Sequence, residues 1–88
     1  VSDQVSDEAG VRAVVEVLAK ALADRPEEVR VTESQHQQVT LIELFVSPVD
    51  IGKVIGRQGR TAAALRTLAA SAGEKFGKNV TLEIRETR

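Results

Sequence analysis

Residues 51–60 read Ile51-Gly52-Lys53-Val54-Ile55-Gly56-Arg57-Gln58-Gly59-Arg60. Two glycines three apart, Gly56 and Gly59, break a stretch that is helical in pattern on both sides. Upstream, Ser47-Pro48-Val49-Asp50 has the form of a helix start: a serine cap, a proline at the first helical position, and an acid three residues after the cap. Downstream, Leu65, Leu68, Ala69, Ala72 and Phe76 recur at helical spacing and alanines keep propensity high, which predicts a helix over 60–76 closed by Gly77. The two helices therefore meet at the glycines. Gly56 is expected to take a left-handed conformation that stops the first helix, and Gly59 to leave the backbone bare where the second begins. Gly52 sits inside the first helix at a cost of about 1 kcal/mol relative to alanine, so close packing or approach of another backbone is expected there.

Working outward, residues 39–46 (Val-Thr-Leu-Ile-Glu-Leu-Phe-Val) are β-branched and aromatic-rich and apolar on both alternating faces, the signature of a central strand. Ile42, Leu44 and Val46 should face the helices, leaving Leu41 and Phe45 on the opposite face, open to cover by a neighbouring chain or simply exposed. Val80, Leu82 and Ile84 alternate with Thr81, Glu83 and Arg85 and predict a last strand with one wet face. Before the central strand, Val29 and Val31 alternate with polar neighbours over 29–34, a short half-buried strand followed by a polar hairpin loop from Glu33 to Gln38. His36 falls in that loop as a solvated residue. Near the start, Val11, Val14, Val15, Leu18, Ala19 and Leu22 form one helical stripe that Asp24-Arg25-Pro26 ends. Residues 1–7 are expected to be a frayed end, with Ser6 or Asp7 available as helix cap, and residues 8–88 to form the domain. The order α-β-β-α-α-β resolves most economically as an α+β fold, a three-stranded sheet with helices packed on one face.

At 88 residues the chain has room for one small domain. Its 42% apolar and 28% charged residues are those of a folded globular chain. It has no cysteine, no tyrosine and one histidine, which removes thiolate chemistry, zinc fingers and paired-histidine catalysis and implies no cofactor. Adjacent acids such as Glu27-Glu28 follow the helix break and read as a solvated turn, so an enzyme is not indicated. No stretch nears the ~18 apolar residues of a membrane span, and residues 1–10 lack a basic, then apolar, leader pattern, so a soluble cytoplasmic protein is expected. The formal net charge is −1. Residues 1–50 carry four bases against ten acids, whereas residues 51–88 carry eight bases against three. Between Asp50 and Glu74 there is no acid, while Lys53, Arg57, Arg60 and Arg66 accumulate. The stretch makes a local positive field suited to a polyanion, or an ordinary solvated helix face.

The turn and the charge point to the same chemistry. A helix beginning at a bare glycine presents free N–H groups and the positive end of its dipole, the natural seat of a phosphate. Arg57 and Arg60 add full charges, Lys53 lies one helical turn before Gly56, and Gln58 can donate to phosphate or sugar oxygens. Ile51, Val54 and Ile55 are placed to supply an apolar floor for bases. A nucleotide-binding P-loop is excluded, since it needs G-x-x-x-x-G-K-[ST] after a strand.

Val54-Ile55-Gly56-Arg57-Gln58-Gly59-Arg60 within β-α-turn-α-β resembles the KH-domain signature, a loop that clamps four nucleotides. The stretch from Pro48 to Ile84, the N-terminal helix and Pro26-Glu27-Glu28-Val29-Arg30-Val31 extend the similarity over nearly the whole chain, to the small bacterial single-KH proteins of the KhpA family. The resemblance implies the type II arrangement, in which an extra helix and strand precede the β-α-α-β core. It implies binding of single-stranded RNA, a role as a low-specificity RNA chaperone or post-transcriptional regulator, self-association, and pairing with a larger KhpB-type KH protein. Carried onto these positions, the clamp is Gly56, Arg57, Gln58 and Gly59, with Lys53 and Arg60 flanking it. Thr61 and Ala62 stand where many KH domains have a bulkier aliphatic, which leaves groove depth and base preference open. Phe45 and Phe76 lie away from the loop, so aromatic stacking platforms are not expected. The alternative is a protein–protein interaction module whose RNA contact is incidental.

Overall fold

The strand expected over 39–46 forms with those bounds in the computed structural model, which describes residues 10–87. The elements are α1 (Val11–Leu22), β1 (Arg30–His36), β2 (Val39–Val46), α2 (Ile51–Ile55), α3 (Arg60–Lys75) and β3 (Asn79–Glu86), with single 3-10 turns at Pro26–Glu28, Pro48–Asp50 and Arg57–Gly59. β2 is central in the sheet order β1-β2-β3, antiparallel to β1 and parallel to β3. A parallel pair needs a crossover, and α2 with α3 supplies it.

Alternation in β2 decides what is inside. Thr40, Ile42, Leu44 and Val46 are buried beneath the helices, while Leu41, Glu43 and Phe45 are half-buried on the other face. Ile42, Leu44 and Val46 meet Val11, Val15 and Ala19 of α1, Val54 of α2, and Leu65 and Ala69 of α3 in one core. Each Val, Leu or Ile among them contributes about 1.5–3 kcal/mol by leaving water. α3 ends as its sequence predicts: Gly77 takes φ +70, its N–H donates to the Glu74 carbonyl at 3.1 Å, and the Lys78 N–H donates to Gly73 at 2.7 Å. That pair of bonds is a Schellman close. Gly73 is buried where α3 lies on β3; a Cβ there would stand 2.6 Å from a Val80 methyl and 2.9 Å from the Lys78 carbonyl.

Three expectations need correcting. The polar loop over 33–38 is instead mostly strand: β1 continues to His36, and only Gln37-Gln38 turn, Gln37 at φ +59. Ser34, Gln35 and His36 keep register with Leu41, Thr40 and Val39, and because the outer face of the hairpin is solvated, polarity there masks a strand. His36 is exposed in β1, its ring 3.0 Å from the Ser34 hydroxyl. Leu68 belongs less to the core than its spacing predicts, being 47% exposed at the margin of the α3 face formed by Ala62, Leu65, Ala69 and Gly73. Leu22 is likewise 39% exposed at the end of α1. Gly10 precedes α1, and the Ser6 or Asp7 cap lies outside the described residues. No helix among those residues is long and apolar enough to cross a membrane.

Candidate functional site

The route into the glycine turn begins at Ser47, whose hydroxyl accepts from the Val49 N–H at 3.3 Å, as its capping role predicts. Pro48 starts the 3-10 turn and α2 follows directly. Asp50 does something the capping pattern does not anticipate. Its carboxylate is wholly buried and turned toward the exit of α1, where one oxygen accepts from the Asp24 N–H at 2.8 Å and the other from the Arg25 N–H at 2.9 Å. The Asp24 amide foremost, opposed by burial and aided by the Arg25 amide and by the charges of Lys53 and Arg25, holds the Asp50 carboxyl below its usual range. One turn on, Lys53 Nζ lies 2.6 Å from Asp24 Oδ2. That hydrogen bond, against some desolvation and with the charges of Asp24 and Asp50, raises the Lys53 pKa. Lys53 is thus held in an ion pair, where its sequence position suggested a free cation.

Of the three apolar residues expected beneath a ligand, Val54 is enclosed in the core and offers no surface, because α2 must turn one side chain inward to be held at all. Ile51 is half-buried and Ile55 is 36% exposed. Gly52 has no neighbour within 4 Å of an added Cβ among the described residues, which do not supply the close packing expected there. Its position on the solvent side of a helix held through Val54 accounts for the open space.

Gly56 closes α2 through its N–H to the Gly52 carbonyl at 2.8 Å. It sits at φ +80, ψ 169, a glycine conformation but not the left-handed helical one. A Cβ at Gly56 would lie 2.3 Å from the Thr61 hydroxyl and 2.8 Å from the Thr61 amide nitrogen, so Gly56 is there for close approach to α3. The left-handed residues are the next two that turn the chain, Gln58 (φ 57, ψ 25) and Gly59 (φ 74, ψ 14). Among the described residues nothing lies within 4 Å of a Cβ at Gly59, so its conformation and its open outer side, rather than packing, call for glycine. Part of the supply of free amides is used within the turn itself. Gly59 N–H donates to the Gly56 carbonyl and Arg60 N–H to Arg57, which leaves the amides of Arg57 and Gln58 without a backbone acceptor among the described residues.

Arg57, Gln58 and Arg60 are exposed around this turn. Several bases that follow Asp50 are neutralised by acids from the first half of the chain: Lys53 by Asp24, Lys78 by Glu33 at 3.0 Å, and Arg85 by Glu43 at 2.9 Å. Arg57, Arg60 and Arg66 have no ion-pair partner among the described residues, and the first turn of α3 holds no acid. Between Asp50 and Glu74 the unpaired positive charge is thereby left on the turn and the first two turns of α3, with Lys75 also unpaired among the described residues at the helix's far end. Sequence reasoning missed Asp50 and Asp24 in this arrangement. An acid at Asp24, placed at the end of α1 where the dipole disfavours it, was the available signal that a partner must exist.

The family model of the KhpA/KhpB KH domain matches residues 12–84, the helix, the sheet and the turn together. The chain belongs to the KhpA/KhpB KH-domain family. Among its curated relatives, the RNA-binding protein KhpA of Aquifex aeolicus (strain VF5) is 50% identical over 76 residues, covering 86% of this chain and 96% of the relative. The RNA-binding protein KhpA of Caldanaerobacter subterraneus subsp. tengcongensis is 51% identical over 71 residues, 81% of this chain and 95% of its own. That of Clostridium perfringens is 47% identical over 74 residues, 84% and 99% respectively. This KH domain therefore belongs with binding proteins and not with enzymes. Its α1 and β1 precede the β2-α2-α3-β3 core in the order expected of the type II arrangement.

Proposed function

We propose that this KH domain grips single-stranded RNA at the turn formed by Gly56, Arg57, Gln58 and Gly59. The observation that carries the reading is the pair of arginines without an ion-pair partner among the described residues, Arg57 and Arg60, set where α3 begins with the positive end of its dipole and without an acid in its first turn, with Arg66 two turns along and donating to the Leu82 carbonyl. Several relatives carry the name RNA-binding protein KhpA, which favours the same ligand. Phosphates sit against the Arg57 and Gln58 amides and the arginine heads, sugars reach Gln58, and bases lie toward Ile51 and Ile55. Lys53 joins when Asp24 releases it. With about four nucleotides engaged and no aromatic platform, binding is weak and tolerant of sequence. Such a module acts in the cytoplasm as an RNA chaperone or post-transcriptional regulator, as a homodimer or beside a KhpB-type protein, since a second clamp raises affinity through effective concentration.

Replacing Arg57 and Gln58 together with aspartate reverses charge at the seat without touching either glycine. Circular dichroism should be unchanged and RNA binding lost; a folded double variant that still binds overturns the seat. With two to four phosphates engaged, log K falls with log salt at a slope of roughly −1.4 to −2.8, from about −0.7 per phosphate on single strands. A flat salt response contradicts the proposal.

One observation favours a second reading, a protein-interaction module: Val17 is 66% exposed and lines an apolar groove with Ala13, Val14 and Leu18. A strict monomer by light scattering at micromolar concentration removes the self-association part of that reading.

A further inference from the structure

The helix that carries the turn is too short to hold itself. α2 has five residues, Ile51–Ile55, against the ~12–15 at which isolated helices become even marginally stable in water. Val54 fixes its depth in the core and Ile51 packs at the core's edge, but two apolar contacts on five residues set its bearing only loosely. Orientation comes from the residue just before it. The two oxygens of Asp50 take the N–H groups of two consecutive residues, Asp24 and Arg25, a forked contact that sets angle as well as distance. The Lys53–Asp24 pair one turn later is open to solvent and adds little to that hold. Asp24 and Arg25 belong to the exit of α1, which is itself packed in the core through Val15 and Ala19.

We propose that Asp50 is a positioning residue for the RNA-binding turn: by clasping the Asp24 and Arg25 amides it locks α2 to the end of α1 and so holds Gly56–Gly59 in the geometry that accepts phosphate. The proposal rests on the reading of that turn as the RNA seat. Asp50 touches no RNA, being wholly buried, and acts only through the bearing of α2. Two consequences follow. Losing the fork costs affinity without changing how many phosphates are held. By linkage, RNA bound at the turn must in return tighten the Asp24 and Arg25 amide bonds.

The experiment uses Asp50→Asn, which keeps shape but turns one acceptor into a donor facing an N–H, and a short mixed-sequence single-stranded RNA oligomer. At a temperature where circular dichroism shows the variant folded, affinity should fall by about fivefold or more, the lower end of typical coupling factors. The salt slope should stay at the parent value, whereas loss of a phosphate contact would reduce it. Unchanged affinity in folded D50N overturns the proposal, as does a reduced slope. Should D50N fail to fold, hydrogen exchange on the parent protein decides: slower exchange of the Asp24 and Arg25 amides on adding RNA supports the lock, and unaltered exchange refutes it. The Arg57→Asp, Gln58→Asp double variant separates the two readings. If it still binds RNA, the seat itself is elsewhere; if it loses RNA while D50N and amide exchange are unaffected, the seat stands and the lock alone fails.

Discussion

Gly56 and Gly59 look alike in sequence, yet the structure assigns them different work, and exchanging each for alanine should separate fold from ligand. At Gly56 the backbone lies at φ +80, ψ 169, a region populated almost only by glycine and costing other residues about 1–3 kcal/mol. The added methyl would also stand 2.3 Å from the Thr61 hydroxyl, 2.7 Å from its Cβ and 2.8 Å from its amide nitrogen. The hydroxyl can rotate, but the amide nitrogen moves only if the first turn of α3 moves, and such overpacking costs about 1–3 kcal/mol more. Together these come to roughly 2–6 kcal/mol. A domain of this length commands only about 4–13 kcal/mol, at 0.05–0.15 per residue. Gly56→Ala should therefore lose a large share of its stability. Gly59 at φ 74, ψ 14 has no neighbour within 4 Å of the new methyl. Gly59→Ala should lose only the left-handed penalty of about 1–2 kcal/mol, a melting point lower by roughly 4–16 °C. Urea denaturation followed by far-ultraviolet circular dichroism compares the two. Equal stabilities, or Gly59→Ala as the more damaged variant, would refute the assignment. If the proposed seat is right, the folded Gly59→Ala protein should in addition bind RNA weakly, because its methyl projects to the outer side of the turn where the RNA backbone is proposed to lie.

Other outcomes follow from the charges. Asp24→Asn keeps the main-chain bond to Asp50 but releases Lys53, so RNA affinity measured by fluorescence anisotropy should rise and the salt slope steepen by about 0.7, one further phosphate on a single strand; a loss of affinity would mean that the ion pair serves the fold. Asp50 has its pKa depressed in the folded protein, so its contribution to stability is complete above its ordinary value of 3.8 and is lost as pH falls through the lower folded value. Acid titration of the denaturant midpoint should show this decline in the parent and a shallower one in D50N. Lys53 has a raised pKa, so its contribution is complete below the ordinary 10.5 and disappears as pH rises through the folded value; Asp24→Asn should flatten that alkaline limb.

What could be read from the chain was whatever has a period or a stop. Val39–Val46 announces a two-sided apolar strand, and the structure returns those bounds with β2 in the middle of the sheet. The glycine turn and the Gly77 close were legible because positive φ has few alternatives to glycine. The extent of β1 was not, because Ser34, Gln35 and His36 pair with β2 through main-chain bonds that carry no side-chain signature. Val54 and Ile55 are neighbours of like chemistry, and which faces the core depends on how α2 is rotated. That rotation is linked to contacts from residues 24 and 25, a separation no local pattern spans. The same distance hides Asp50, whose place three after Ser47 already fits a helix cap, while its amide partners lie 25 and 26 residues away.

The near-neutral net charge and a polyanionic ligand are reconciled by where opposite charges meet. Asp24, Glu33 and Glu43 come from the acidic half and engage Lys53, Lys78 and Arg85 of the basic half. Solvated pairs of this kind add little to stability, commonly 0–1 kcal/mol each. Their larger effect is subtractive: they mute positive charge over the sheet and on α2, while Arg57 and Arg60 beside the turn keep no ion-pair partner among the described residues. Arg57 and Arg60 sit at the end of α3 where the helix dipole is itself positive and where an acid would be the stabilising choice. A chain selected for stability alone would place a carboxylate there. The counter-charge missing from the first turn of α3 is one that an incoming phosphate can supply, so the tension built into that helix end is relieved by binding, and RNA should raise the melting point of the domain as any ligand of the native state does.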